Sequence, residues 1–509
     1  MFRKILKKKS SKTNEVIYPD IPDNKDLKLN SVNIKSILKR NSDAVFRDIF
    51  ICGDPNCPVT LVFIDGLVDS KGIADDVVKP LMENNKLCEA KNEHETINLI
   101  KHGAVYFPHM KVRSNINDTL NDILNASCAL IFNSENIALT FAVNGFETRG
   151  ITEPTNESIV KGAKDAFIES LRTNTATVRR KIKNPKLIVE QSIVGRQTKT
   201  SIGIVYIDGI VNSHLVDEVK QRLDNIEIDG VIEAGFIEEY IIDKKYTVFP
   251  LIGATERPDR FSSAITEGRV GLIIDGLPTA YLIPANVHQF LRTMDDYSQN
   301  YLVVSALRFL RYLTAMLTIF LPGFYIAVTT FHHEMIPSEL AQAIAASKEG
   351  VPYPSFIEVF MMMIAFEILL EAGLRLPKTI GQAVSIVGAL VVGEAAVNAK
   401  LISPAVVVII AITAISSFTI PNQDFSNSLR LWRFVIAIAS ASMGIFGISM
   451  AAIFLLYQLA SIETFGVPYL SPYVASEGRD LEDSIIRIPL RFLKKRPSSF
   501  RPPNERRQK

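Results

Sequence analysis

Four glutamates stand inside or at the edges of long apolar runs between Tyr312 and Ala460: Glu358, Glu367, Glu371 and Glu394. An ionised group at the centre of a membrane helix costs on the order of 2.5–3.5 kcal/mol by insertion scales, so it tends to face a bundle interior or a water path. Glu367, Glu371 and Arg375 are spaced i, i+4, i+8 and share one helix face. The chemistry open to such a face is ion handling: in an oligomer the carboxylates would stack into rings that favour cations. The same spacing also allows an intrahelical Glu371–Arg375 pair at the membrane surface, with Glu367 bonded to a neighbouring helix. Glu358 falls on roughly the opposite face and is expected at the interface. Glu394 invites a pair with Lys400 across a short turn.

Gly381, Ser385, Ala389 and Gly393 recur every fourth position. Such a small-residue stripe lets membrane helices approach closely, within one chain or between subunits. His332, His333 and Glu334 suggest a metal, but Pro337 stands where a zincin would place its second histidine. Asp65-Gly66, Asp208-Gly209 and Asp275-Gly276 each follow an apolar strand and read as turns before they read as general acids. The phosphate-loop, dinucleotide-binding and nucleophile-elbow motifs do not occur. The sequence predicts no catalytic residue, no metal and no cofactor.

The four cysteines, Cys52, Cys57, Cys88 and Cys128, show no zinc-ligand spacing. In a cytoplasmic domain they are expected as free thiols.

These residues sit in a chain whose composition breaks near residue 312. Of its 509 residues 47% are hydrophobic, concentrated in the C-terminal half, and the net charge of +2 gives no bulk attraction to nucleic acid. Positive charge is local: Arg3 to Lys12 at one end and Arg487 to Lys509 at the other. Basic segments flanking membrane spans favour the cytoplasmic side and anionic lipid, which predicts two cytoplasmic termini. No apolar stretch follows the N-terminal charges, so they do not form a signal peptide.

The soluble part contains an internal repeat. Leu61 to Val68 recurs as Ile204 to Val211, Val105 to Pro108 as Thr247 to Pro250, and Ser127 to Ala142 as Arg269 to Pro284, at an offset of 142 or 143 residues. Two related α/β subdomains follow, with β-branched strands alternating with helices. The expected organisation is a basic tail over 1–30, α/β subdomains over 31–154 and 201–300 joined by a helical bridge over 155–200, a polytopic helical membrane domain over 301–465, and a basic cytoplasmic tail over 466–509. Five apolar segments, near 312–331, 356–374, 380–397, 401–420 and 431–460, are candidate spans. Cytoplasmic termini require an even number of crossings, so one of them, foremost 356–374, is expected not to cross. The last run is about 45 Å of helix and must tilt, kink near Gly444 or Gly447, or extend into solvent.

The sequence resembles the A subunit of bacterial spore germination receptors, the GerA family, over roughly residues 30–490. The residues that carry this are Glu256-Arg257-Pro258-Asp259-Arg260, Glu267-Gly268-Arg269-Val270, Asp275-Gly276, His332 to Leu340, Gly350 to Pro354, Glu371 to Pro377, Ile380 to Ala383 and Ile386 to Leu390. Two departures stand out: Asp296-Tyr297-Ser298 where Asp-Tyr-Tyr is expected, and Leu370 where a basic residue is expected. The resemblance implies a multi-pass protein of the spore inner membrane. It would act with a permease-like B subunit, which holds most of the nutrient pocket, and a lipoprotein C subunit. It also implies oligomerisation into a ligand-gated cation channel. A secondary transporter, a non-conducting scaffold and a spore-maturation paralogue of the same family are the competing readings.

Overall fold

The computed structural model describes residues 27–55, 57–90, 92–145, 157, 161–376, 391–474 and 478–508. Two five-stranded antiparallel sheets form the first half. The first contains β1 (Ala44–Phe50), β2 (Pro58–Ile64), β3 (Met110–Arg113), β4 (Cys128–Phe132) and β5 (Ile137–Phe141), in the order β1-β2-β4-β5-β3. The second contains β6 (Leu187–Val194), β7 (Thr200–Ile207), β8 (Gly253–Thr255), β9 (Val270–Ile274) and β10 (Ala280–Ile283), in the equivalent order β6-β7-β9-β10-β8. The repeat in the sequence is therefore a repeat of topology. Leu130 pairs with Leu139 in the first sheet, and Leu272 with Tyr281 at the corresponding place in the second.

Period-two alternation gives each sheet two buried faces. In the first, Leu61, Leu130 and Leu139 pack on Ile73, Val77 and Leu81. The alternate residues Val62, Ala129 and Ala138 pack on Ile34 and Leu38 of the Ser31–Leu38 helix and on Leu120 and Ile123 of the Ile116–Leu124 helix. The second sheet repeats the plan, with Ile204 and Leu272 against Val216, Val219 and Leu223, and Val205 and Ile273 against Phe261 and Ile265. The three Asp-Gly pairs are turns: Gly66, Gly209 and Gly276 have φ of 84°, 78° and 85°, a region glycine enters without steric cost.

The 155–200 segment differs from its expected role. It contains a helix, Leu171–Lys181, but β6 lies wholly inside it and pairs along its full length with β7. The second subdomain therefore begins at Leu187 rather than 201. Cys52 and Cys88 are joined in a disulfide, their Cα atoms 5.4 Å apart, and are not the free thiols expected. The fold brings the turn after β1 against the short Asn85–Cys88 helix. Cys57 and Cys128 are free and buried.

The second half is helical. Tyr301–Thr330 and Gln423–Ala460 pack along each other and are the two described helices long and apolar enough to cross a membrane. Ser440 Oγ of the latter donates to the Gly323 carbonyl of the former. Gln423–Ala460 breaks at Gly444 (φ 62°, ψ −139°), one of the two kink positions expected. Ser355–Arg375 carries Glu358, Glu367, Glu371 and Arg375 within 21 residues. Pro404–Phe418 has 15 residues, or about 22 Å of helix, short of the ~30 Å hydrocarbon core. Most of the 380–397 segment, including Gly381, Ser385 and Ala389, lies outside the described residues, as does the basic segment 1–26.

The described part of the 466–509 tail is folded. It follows a hairpin of β11 (Glu463–Thr464) and β12 (Val467–Pro468) and runs back over the second sheet. There Arg496 Nε donates to the Thr266 carbonyl at 2.8 Å, and Phe500 is buried against Arg269.

Candidate functional site

On the Ser355–Arg375 helix the structure separates Glu367 from Glu371 and Arg375, the three residues that the sequence placed on one face. Glu367 turns inward: Oε1 accepts from Arg433 Nη2 at 2.7 Å and Oε2 from Arg430 Nη1 at 3.1 Å. Both arginines come from Gln423–Ala460, and Arg433 is fully buried. Glu371 and Arg375 form an exposed i,i+4 pair at 2.7 Å. Glu358, expected at the interface, is fully buried. Its carboxylate accepts from the Ser403 backbone N–H at 2.8 Å and lies 3.5 Å from Lys348 Nζ. The reason is local: the bend before Pro404 brings an unpaired backbone donor at a helix start onto that face. Glu394 is exposed in the π-helical turn Val391–Ala395, while the Lys400 side chain packs against Gly350 rather than on Glu394. Gly393, the described member of the small-residue stripe, is half-buried beside Val407.

The densest polar cluster lies elsewhere, where the second sheet meets the helices. Asp296, in the turn before Tyr301–Thr330, accepts from Arg308 Nε at 2.9 Å, from Arg311 Nη1 at 2.9 Å and from Thr293 Oγ1 at 2.9 Å. Asp483, from the returning C-terminal segment, accepts from Arg308 at 2.9 Å, from Arg292 at 3.2 Å and from Tyr297 Oη at 2.5 Å. Arg292 also pairs with Glu267, at 3.1 Å. The Tyr297 ring lies within 5.7 Å of the guanidinium carbons of Arg292, Arg308 and Arg487.

Burial would raise the Asp483 carboxyl, yet the Arg292 and Arg308 guanidiniums hold it below the usual carboxylate range. Burial pushes His288 well below its ordinary value, and the charge of Arg292 adds to this, so its imidazole is neutral. Beside this cluster lies an aromatic joint. Phe290 stacks on Phe425 at 5.7 Å, with Phe249 and Tyr469 packed around them.

This arrangement offers no nucleophile with a base. Its physical capacity is coupling, because a buried ionic network with three partners on each aspartate resists separation of the segments it joins. Sequence reasoning did not single out these residues. A signal was present: Asp296 and Tyr297 match the first two places of the expected Asp-Tyr-Tyr motif, and Arg308 and Arg311 lie three apart at the start of an apolar helix.

The comparisons with known proteins agree with one another. A family model described as Bacillus/Clostridium GerA spore germination protein matches residues 32–499. Spore germination protein B1 of Bacillus subtilis (strain 168) is 37% identical over 485 residues, 95% of this chain and 99% of that protein. Spore germination protein KA of the same organism is 38% identical, over 94% of this chain and 87% of that protein. Among solved structures, the N-terminal domain of the A subunit of the Bacillus megaterium spore germinant receptor GerK3 aligns at 34% identity, over 49% of this chain and 91% of that chain, with a TM-score of 0.38. The family model and the two full-length relatives, each spanning nearly the whole chain, make this chain a member of the GerA family of spore germination proteins.

Proposed function

We propose that this chain is a membrane subunit of a nutrient germinant receptor that triggers spore germination, and that it does so by oligomerising into a ligand-gated cation channel. The observation that carries the role in germination is the family match over 32–499 together with full-length relatives that are spore germination proteins. The oligomeric channel reading draws on the faces that one chain leaves open. Glu371 and Arg375 are exposed on a helix that also exposes Ile364 and Ile368. Beyond Gly444, Phe446, Met450, Ile453 and Phe454 are exposed on the longest helix. Apolar faces of this size require lipid or further copies of the chain, and a charged stripe beside them suits a water-filled lumen. In this reading both ends of the chain face the spore core at the inner membrane, near anionic lipid. A permease-like B subunit supplies most of the nutrient pocket and a lipoprotein C subunit completes the receptor.

The test is conductance of the reconstituted receptor in liposomes. Nutrient should open a cation pathway, and Glu371→Gln should lower its selectivity for cations. A complex that stays ion-tight with nutrient present ends the channel reading. One observation favours a second reading, a non-conducting scaffold: Glu367 is neutralised by Arg430 and Arg433 within a single chain. On that reading Glu367→Gln leaves ion release unchanged.

A further inference from the structure

The motif Glu267-Gly268-Arg269-Val270 has no role in the coupling just described beyond the Glu267–Arg292 pair. Arg269 stands at the start of β9, and only 2% of its surface is exposed. A guanidinium that deep normally has most of its five N–H groups paired. Here Nε has no hydrogen-bond partner, Nη2 reaches Asn286 Oδ1 only at 3.5 Å, and the nearest carboxylate oxygen, of Glu267, is 4.0 Å away. The Phe500 ring, 4.6 Å from the guanidinium carbon, covers one face. Arg269 lines a cavity of about 320 Å³ between the second sheet and the returning C-terminal segment.

The charges around this cavity do not balance. The C-terminal segment adds Lys494, Arg496 and Arg507 to its wall. None of the three has a carboxylate within ion-pair distance among the described residues, and the Arg496 guanidinium donates only to the carbonyls of Thr266, Asn504 and Arg506. Four acids face six cations, Lys495 among them, on this wall. Asp483 serves Arg292 and Arg308, Glu267 serves Arg292, Asp480 accepts from Ser498 and Ser499, and Glu482 is exposed at the rim. Burial pulls Arg269 down to about 9, leaving it charged at neutral pH, and burial with the adjacent Arg507 charge lowers Arg496. A buried charge without a partner is costly, and convergent guanidiniums suit a tetrahedral oxyanion.

We propose that the cavity between β9 and the C-terminal segment binds a phosphate group, held by Arg269 inside and by Arg496, Arg507 and Lys494 at the mouth. The group belongs to a small phosphate-bearing solute or to a phospholipid headgroup, since both present the same oxyanion. Its binding would fasten the C-terminal segment over the second sheet.

The experiment uses the purified full-length chain in neutral detergent, titrated with inorganic phosphate against chloride at constant ionic strength and followed by thermal unfolding and calorimetry. A parallel arm uses nanodiscs of phosphatidylcholine with or without phosphatidylglycerol. Phosphate should raise the melting temperature beyond its chloride control, and Arg269→Gln should weaken binding by about tenfold or more. Should that buried substitution impair folding, the partly exposed pair Lys494→Gln with Arg507→Gln serves instead, with an expected loss of about threefold to tenfold. A response confined to the phosphatidylglycerol nanodiscs, and lost in the double variant, assigns the site to a lipid headgroup. Melting that follows ionic strength alone in both arms, or a phosphate response unchanged in the double variant, overturns the proposal.

Discussion

The first sheet meets the rest of the chain through one buried guanidinium and a few exposed ion pairs, whereas the second meets it through a network and an aromatic joint. Arg179 of the Leu171–Lys181 helix is 1% exposed. Its Nη2 donates to Asp43 Oδ1 at 2.6 Å and to Asn41 Oδ1 at 2.8 Å, while the Ser42 N–H donates to the β6 carbonyl of Val189 at 2.8 Å. The second sheet instead shares Arg292, Glu267 and the Phe290 ring with the helices and the C-terminal segment. Strand order is the same in both, so the difference lies in their surroundings. Two copies of one architecture have diverged into a peripheral module and a module seated on the long apolar helices.

The largest expected break in that contrast is Asp296→Ala. It takes from Arg311 its carboxylate and leaves Arg308 with Asp483 alone, and should cost about 3 kcal/mol, the low end of the range for removing one partner of a buried pair. Thermal unfolding of the full chain reads it, and a loss below about 1 kcal/mol would remove the network from the account. Next is Asp43→Ala, which leaves Arg179 with Asn41 and a carbonyl. A cost of about 3 kcal/mol is expected, with hydrogen exchange rising in β1 and β2 while β9 and β10 stay protected.

A pH effect sharpens the comparison from the side of the second sheet. Burial, and then the charge of Asp424, push the Glu238 carboxyl up to about 7, and Tyr281 Oη donates to it at 3.4 Å. The folded chain therefore holds an extra proton between the ordinary glutamate value and about 7. Its stabilising contribution is complete at the acid end and is lost as pH rises through that window. Glu238→Gln should flatten this dependence and stabilise the chain at pH 8 by about 1 kcal/mol. If the slope persists in that variant, another group is titrating. The smallest effect is expected from Arg172→Ala, which removes a 2.6 Å pair with Asp65 in which both side chains are well exposed. Such a pair contributes about 0.2–1 kcal/mol.

The repeat was legible because period-two alternation in β2, β4 and β5 has its counterpart in β7, β9 and β10, and strand burial is written into local pattern. β6 escaped because its middle, Glu190-Gln191-Ser192, is polar and, among the described residues, β7 is its one partner strand. The break at Gly444 was legible from glycine placement in a run too long for the bilayer. The partners of Glu367 were not, because Arg430 and Arg433 lie more than 60 residues away. The same holds for Asp483, 175 residues from Arg308, and for the disulfide. Local spacing shows which groups a helix face carries, but not which distant cation neutralises them.

Arg308 belongs to the first long helix and Asp483 to the stretch that leaves the last one, so their contact fastens entrance and exit of the helical half at one point. The helical half is thus a loop closed at its base, and the second sheet sits on the clasp. Any tilt of that sheet reaches both terminal helices at once, as a yoke turns two shafts, instead of passing along them in series.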